Sequence, residues 1–123
     1  MISNVLVPTD FSDEAHKALR YAAALVRRVG AQLHVVNVSE IGFAIPGPES
    51  PGGHPWMPNI QETKALKQQV EAVAGADVVL NYHARVGRSF DQIVRCAHEI
   101  AADLIVMSTH GRTGLKRLFR KHG

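Results

Sequence analysis

Short apolar runs alternate with segments of helical periodicity along this chain of 123 residues. The runs are continuous in apolarity, which is typical of strands buried on both faces of a parallel sheet. Between them, apolar residues recur every three or four positions, which predicts amphipathic helices. The predicted strands are 4–7, 32–38, 76–86 and 103–108, and the predicted helices are 12–30, 61–73 and 90–101, with a fourth helix beginning within 114–121. This order predicts one α/β domain over residues 1–123, built on an open, Rossmann-like parallel sheet with helices on both faces.

Residues suited to helix ends support these boundaries. Ser12 can cap the first predicted helix, and Gly30 is a natural stop for it. Ser89, with Gln92 three residues later, has the pattern of a capping box at the start of the third. Residues 39–58 lack the pattern of a helix or a strand. Five prolines and four glycines between 42 and 58 predict a long loop, either a lid or a disordered insert.

The net charge of +3 is unevenly distributed. Residues 112–123 contain five basic residues and no acidic ones, whereas the rest of the chain is slightly acidic. A polyanion such as DNA could bind such a tail. Cations near a phosphate site, or on the solvated face of one helix, explain the same residues, so nucleic-acid binding is not expected.

The apolar runs are all far shorter than the roughly 18 residues of a membrane helix, and the N-terminus lacks a signal-peptide pattern. We therefore expect a cytoplasmic protein without a membrane partner. The one cysteine, Cys96, lies in an apolar helical pattern, which predicts a buried and unreactive thiol.

The ends of the predicted strands hold the candidate site, because open parallel sheets bind ligands beyond their carboxyl ends, where the strand order reverses. The first strand ends in Pro8, Thr9 and Asp10, and the second ends at Val38. The Asp10 carboxylate can accept hydrogen bonds from ribose hydroxyls. Its alternative role is to cap the backbone amides near Ser12.

The loop after the fourth predicted strand is suited to a phosphate. Its candidate residues are Met107, Ser108, Gly111, Arg112 and Gly114. The glycines permit turns that aim backbone amides at an anion, and the arginine can pair with phosphate oxygens. An ordinary turn between a strand and a helix explains the same glycines.

The sequence contains no evident catalytic constellation. Seven histidines are scattered without metal-ligand spacing, and a nucleophile elbow, a P-loop and a dinucleotide fingerprint are all missing. His110 is the histidine beside the candidate site, and a structural role is more usual there than a role as a base. We therefore expect no metal site and no enzymatic activity.

Three motifs together resemble the universal stress protein family. They are V-L-V-P-T-D-F-S at 5–12, G-R-S-F-D-Q-I at 87–93 and D-L-I-V-M-S-T-H-G-R-T-G-L at 103–115, in the family's order and spacing. The resemblance implies a fold like that of the adenine nucleotide alpha hydrolases, with five parallel strands in the order 3-2-1-4-5 and a homodimer formed through the last strand. In one branch of the family it implies a cleft for ATP or AMP, with Pro8, Thr9, Asp10 and Val38 at the adenosine, and Mg²⁺ entering only with the nucleotide.

The phosphate end departs from the family's pattern of glycine, two residues, glycine, nine residues, then glycine with serine or threonine. Ser108 stands at the first glycine and Gly111 at the second, but Lys121 and His122 occupy the last two positions. The match ends after Phe119, which implies a domain incomplete at its C-terminus, either a truncated or frameshifted product or a genuine short variant. The fifth strand and its dimer interface are then missing, and the fourth strand becomes an exposed sheet edge that favours non-native association.

These observations predict a non-enzymatic stress-response or signalling domain with a weakened adenine-nucleotide cleft. Losing roughly two or three charge-assisted hydrogen bonds, at about 1.5–3 kcal/mol each, weakens ATP binding by several orders of magnitude. Two alternatives stay open. One is a nucleotide-independent module that acts through protein partners, which the motif departures favour, and the other is a slow ATP hydrolase.

Overall fold

The computed structural model describes residues 1–40, 60–108 and 116–120. In chain order, its elements are β1 (Asn4–Pro8), α1 (Asp13–Val29), β2 (Gln32–Ser39), α2 (Ile60–Ala74), β3 (Leu80–Val86), α3 (Ser89–Glu99), β4 (Leu104–Ser108) and β5 (Lys116–Arg120). The four predicted strands and the first three predicted helices are therefore confirmed. Residues 41–58 of the predicted loop lie outside the described residues.

The strand order in the sheet is β3-β2-β1-β4-β5, and the first four of these strands are parallel to one another. β1 therefore lies between β2 and β4, so the strand order reverses beside β1, as the resemblance implies. The pairing of β1 with β2 ends with Pro8 opposite Val36, and β2 continues three residues further, to Ser39. The longer β2 therefore extends past the end of β1 at the carboxyl edge of the sheet.

The last described segment corrects the expectations for this end of the sheet, including the parallel fifth strand that the resemblance implies. β5 pairs antiparallel with β4, from Leu104 opposite Arg120 to Ser108 opposite Lys116. The fifth strand that we expected to be missing is thus present, β4 is not the sheet edge, and the helix predicted within 114–121 is a strand over 116–120. Residues 109–115 are fewer than the dozen or so that a parallel crossover needs, so the return strand is antiparallel. It pairs the backbone groups that β4 would otherwise expose.

β3 begins four residues later than predicted, at Leu80. Gly75 ends the preceding helix with φ +107°, and residues 76 and 77 form a turn. The backbone of Gly75 approaches α1 so closely that an added Cβ would lie 2.3 Å from Nη2 of Arg27. In this turn, Asp77 forms an ion pair of 2.8 Å with Arg27 of α1. The residues predicted to begin the strand thus contact α1 instead of pairing in the sheet.

Helices cover both faces of the sheet, as predicted. Val5 and Val7 of β1 point to the face on which α1 and α2 pack, whereas Leu6 points to the face covered by α3. All three side chains are fully buried, which explains why the strands are continuously apolar. On the α3 face, Cys96 is also fully buried beside Leu6 and Val36. The predicted burial of Cys96 is therefore confirmed. Burial also raises the pKa of its thiol, and its low reactivity stays a prediction.

The ends of α1 follow the prediction. The Ser12 hydroxyl accepts a hydrogen bond of 3.1 Å from the Ala15 amide, which caps the first turn. Gly30 has a left-handed φ of 74°, and its amide donates to the carbonyl of Val26 at 2.8 Å. Both ends of this helix are therefore set by local sequence.

The start of α3 differs from the prediction. The N-cap residue is Arg88, whose side chain makes no capping bond, and Ser89 is already the first helical residue. The predicted capping box is therefore wrong. The Ser89 amide donates at 3.1 Å to Oε2 of Glu40, and the Ser89 hydroxyl donates to the same oxygen. A carboxylate from the end of β2 thus takes the place of the local cap.

Among the described residues, no helix combines the length and the apolar character that crossing a membrane requires.

Candidate functional site

A cavity of about 220 Å³ opens at the carboxyl ends of β1, β2 and β4, beside the first turns of α1 and α3. It lies where the strand order reverses, which is the usual ligand site of an open α/β sheet. The cavity is lined by Pro8, Thr9, Asp10, Ala15, Val36, Val38, Ser89, Ile93, Met107 and Ser108.

Six of the nine predicted site residues lie together around this cavity. They are Pro8, Thr9, Asp10, Val38, Met107 and Ser108. Gly111, Arg112 and Gly114 lie outside the described residues. Sequence reasoning did not select the other four lining residues, because Ala15, Val36, Ser89 and Ile93 belong to ordinary helix and strand patterns. Whether the six bind a ligand stays a prediction.

Hydrogen bonds connect the loop after β1 to β2 and link residues within the loop. The Thr9 amide donates to the Val36 carbonyl at 2.9 Å, and the Thr9 hydroxyl accepts from the Phe11 amide at 3.0 Å. Oδ1 of Asp10 accepts from the Ser12 amide at 2.9 Å. Phe11 has φ 65°, a conformation that non-glycine residues seldom adopt. Asp10 therefore does cap the amide of Ser12, the alternative role given above, and it also lines the cavity.

A side chain from β2 adds to this network. Nδ2 of Asn37 donates to the Thr9 carbonyl at 2.8 Å. Sequence reasoning treated Asn37 as part of the second strand and gave it no role. The available signal was a polar residue near the end of an otherwise apolar strand, since a part-buried amide needs a hydrogen-bond partner.

The inner wall of the cavity is apolar. Val36 is almost fully buried, while Val38, Ile93 and Met107 are partly buried and line the cavity from β2, α3 and β4. Asp10, which is exposed, also lines the cavity. Such a site presents apolar surface to a flat ring and a carboxylate to hydroxyl or amine donors.

The family model of the universal stress protein family matches residues 1–121. The chain belongs to this family. The match covers every described residue that lines the cavity, in β1 and the loop after it, α1, β2, α3 and β4. The resemblance noted in the sequence is therefore confirmed, and the residues that line the cavity lie within the matched family domain.

Three members of the family that are similar to this chain share 22–26% of its residues. A curated universal stress protein of Methanocaldococcus jannaschii is 26% identical over 120 residues, which are 96% of this chain and 71% of that protein. The crystal structure of a universal stress protein in complex with cAMP has a TM-score of 0.62 at 23% identity, over 85% of this chain and 70% of that one. A universal stress protein from Archaeoglobus fulgidus in complex with dAMP has a TM-score of 0.60 at 22% identity, over 87% and 80% of the two chains. These structures share the fold.

The charged side chain in the described lining of this universal stress protein site is the carboxylate of Asp10. Hydrogen bonds from Ser89, together with the nearby charge of Arg88, hold the pKa of Glu40 below its usual range. Glu40 is thus an anion at the start of α3, and Asp10 adds a carboxylate at the cavity. The described lining residues contain no cation, so cations for a phosphate have to come from other parts of the chain, such as the predicted Arg112.

The described residues hold no group of three or more potential metal ligands. The described lining also contains no histidine and no cysteine. Its polar side chains are one carboxylate and three hydroxyls, those of Asp10, Thr9, Ser89 and Ser108. This set can bind and orient a ligand by hydrogen bonds, since hydroxyls both donate and accept.

Proposed function

We propose that this universal stress protein binds an adenine nucleotide, ATP or AMP, in the cavity at the carboxyl ends of β1, β2 and β4. The proposal rests on one observation, the assembly of six separately predicted residues around a single cavity. A cavity of about 220 Å³ is smaller than the roughly 300–1,000 Å³ of sites for drug-sized ligands. It suits a nucleoside whose phosphates lie outside it. The cAMP and dAMP complexes of other universal stress proteins support the ligand class.

The described residues suit the adenosine part of such a ligand. The base fits the apolar wall near Val38 and Met107, and the ribose hydroxyls donate to the carboxylate of Asp10. The phosphates are proposed to meet Gly111, Arg112 and Gly114, and Mg²⁺ to enter only with the nucleotide. Because Lys121 and His122 replace the glycine and hydroxyl residue of the family pattern, we expect weak binding of ATP.

Calorimetry with AMP, ATP and adenosine tests this proposal. The Asp10→Asn variant keeps an oxygen for the Ser12 amide but removes the charge. We expect it to weaken AMP binding about 10- to 100-fold, since a hydrogen bond to a charged group contributes about 1.5–3 kcal/mol. Asp77→Asn is the matched control, because it removes a carboxylate beside Arg27, at the opposite end of the parallel strands.

Two results would contradict the proposal. One is a wild-type protein that binds none of the three ligands at millimolar concentration and carries no nucleotide in native mass spectrometry. The other is an Asp10→Asn variant that binds AMP as tightly as Asp77→Asn does. A sub-micromolar affinity for ATP would overturn only the expected weakness of the phosphate end.

A second candidate is a nucleotide-independent module that acts through protein partners. The departures at Lys121 and His122 favour it, as does the exposure of Phe90, 76% of whose surface is accessible at the start of α3. We further propose a non-enzymatic, cytoplasmic role. Under this second candidate, Asp10→Asn changes stability but leaves partner capture unchanged.

A further inference from the structure

We propose that Asn37 is a positioning residue for nucleotide binding. From β2, its side-chain amide donates a hydrogen bond to the carbonyl of Thr9, and this bond holds the loop that presents Asp10 at the cavity. The inference rests on the proposed nucleotide function and names a further residue of that site. Asn37 does not line the cavity, so it acts through the loop and does not need to touch the ligand.

The position of this hydrogen bond matters because the β1–β2 ladder ends just before it. The last paired residues are Pro8 and Val36, and proline has no amide proton to donate. Beyond that pair, hydrogen bonds on both sides of Thr9 attach the loop to β2. They run from the Thr9 amide to the Val36 carbonyl, at 2.9 Å, and from Nδ2 of Asn37 to the Thr9 carbonyl, at 2.8 Å.

These two bonds fix the peptide groups on both sides of Thr9. The Thr9 carbonyl belongs to the peptide group that enters Asp10, so its orientation sets the direction in which the Asp10 backbone starts. Thr9 is 6% exposed, so water has little access to replace the bond from Asn37. Two other bonds, from the Phe11 amide to Thr9 and from the Ser12 amide to Asp10, are internal to the loop. They shape the loop without attaching it to the sheet.

Asparagine is otherwise an unfavourable choice at this place. It follows four buried residues of β2, Leu33 to Val36, and asparagine is depleted in strands. A valine or leucine would pack at least as well but could not donate to a carbonyl. The only side-chain property that this position uses, among the described contacts, is therefore the amide donor.

The central experiment compares two variants by calorimetry with AMP. Asn37→Leu has a similar size but no donor, and we expect its dissociation constant to rise about tenfold, equivalent to about 1.4 kcal/mol. Asn37→Gln keeps an amide on a longer side chain and should recover part of that loss. Arg27→Leu is the matched control, since it removes a side-chain donor to the Ala74 carbonyl far from the cavity. It should leave AMP binding unchanged.

A second readout separates positioning from general stability. In the ligand-free protein, we expect Asn37→Leu to speed hydrogen exchange of the Phe11 and Ser12 amides, with little change in the middle of α1. In a double-mutant cycle, Asn37→Leu should weaken AMP binding much less when Asp10→Asn is already present, because both changes act through the same carboxylate. Should Asn37→Leu fail to fold, Asn37→Ser is compared in the same way.

The outcomes are distinguishable. If the wild type does not bind AMP, the proposed function fails, and the exchange rates of Phe11 and Ser12 still decide whether Asn37 holds the loop. If the wild type binds AMP but Asn37→Leu binds it equally well, the role of Asn37 is refuted while the nucleotide site stands. Full additivity with Asp10→Asn, or unchanged exchange in the loop, would refute it as well.

Discussion

His34 and His83 form a stacked and hydrogen-bonded pair between β2 and β3. Their ring centroids are 5.3 Å apart, and Nδ1 of His34 lies 3.1 Å from Nε2 of His83. Nε2 of His34 lies 3.2 Å from Oδ1 of Asn4, which can only accept. This arrangement assigns the proton of His34 to Nε2, so that Nδ1 accepts from His83. If His83 keeps its proton on Nε2, protonating His34 places two N–H groups against each other, and only a change of tautomer in His83 relieves this.

This pair predicts a loss of stability in mild acid. Burial lowers the pKa of both rings, aided for His34 by His83 and for His83 by Arg85, while Glu99 opposes the shift of His83. Below about pH 6.5 the unfolded chain therefore binds more protons than the folded one. We expect the free energy of unfolding to fall as the pH drops from 7 through this range, by at most about 1.4 kcal/mol per pH unit for each histidine.

Urea denaturation at several pH values measures this slope. Replacing both His34 and His83 by glutamine should flatten the profile between pH 7 and pH 5.5. His98→Gln keeps the pair and is the control. A double variant with the same slope as this control would show that the pair does not cause the pH dependence.

The two residues that organise the loop after β1 differ in how visible they are in the sequence. Asp10 directly follows a strand in a recognisable motif, so its place at the cavity could be predicted from neighbours in the chain. The role of Asn37 depends on a carbonyl 28 residues away in sequence. That contact exists only after β1 and β2 pair in a particular register, which periodicity alone does not reveal.

At the level of elements, the end of β2 contacts both sides of the cavity. Asn37 donates to the loop after β1, the Ser39 carbonyl accepts from the Gly87 amide at 3.0 Å, and Glu40 accepts from Ser89. The end of one strand thus sets the position of the loop that carries Asp10 and of the helix that carries Ser89. The sequence pattern predicted instead that α3 would be capped by its own residues.

The two explanations of how α3 is capped predict opposite orders of stability for two variants. If Glu40 caps the helix, Glu40→Ala lowers the free energy of unfolding more than Gln92→Ala does. A capping box would give the reverse order. Because hydrogen bonds from Ser89 lower the pKa of Glu40, its contribution is present at neutral pH and is lost as the pH falls through the lowered pKa.

Chemical denaturation at pH 7 and at pH 3 checks both the ranking and the pH effect. The difference between Glu40→Ala and the wild type should shrink as the pH falls and the carboxyl group takes up a proton. Glu40→Gln, which keeps an acceptor but no charge, should fall between the two. Equal stability of Glu40→Ala and Gln92→Ala at pH 7 would rule out the cap.

β5 illustrates how a long-range contact can override the type of element that the local sequence predicts. The stretch 114–121 is compatible with the start of a helix. Local propensity does not include the effect of an unpaired strand nearby. In the folded chain, β4 offers a row of backbone donors and acceptors, and the next segment pairs with it. A long-range contact therefore decides between helix and strand.

For the whole molecule, the order of elements and the two-sided core could be predicted, because both follow from hydrophobic pattern and from the handedness of crossovers. The six described site residues could be placed at one edge of the sheet for the same reason. The direction of β5, the cap on α3 and the bond from Asn37 could not, since each joins segments distant in the sequence. The sheet is the frame that brings these segments together.

The fully buried thiol of Cys96 makes the separation of α3 from the sheet measurable without an attached dye. It is the one cysteine of the chain, and it lies on α3 three residues after Ile93, which lines the cavity. A thiol reagent such as dithionitrobenzoate can reach the sulfur only when α3 separates from the sheet. The rate of modification therefore reports how often this side of the molecule opens.

A ligand between β1 and α3 should slow that modification. If opening requires release of AMP, the rate falls by the factor 1 + [L]/Kd, roughly elevenfold at ten times the dissociation constant. The same measurement with Asp10→Asn should show little slowing at that concentration. A rate that AMP does not change, in a protein that binds AMP by calorimetry, would mean that α3 opens with the nucleotide still in place.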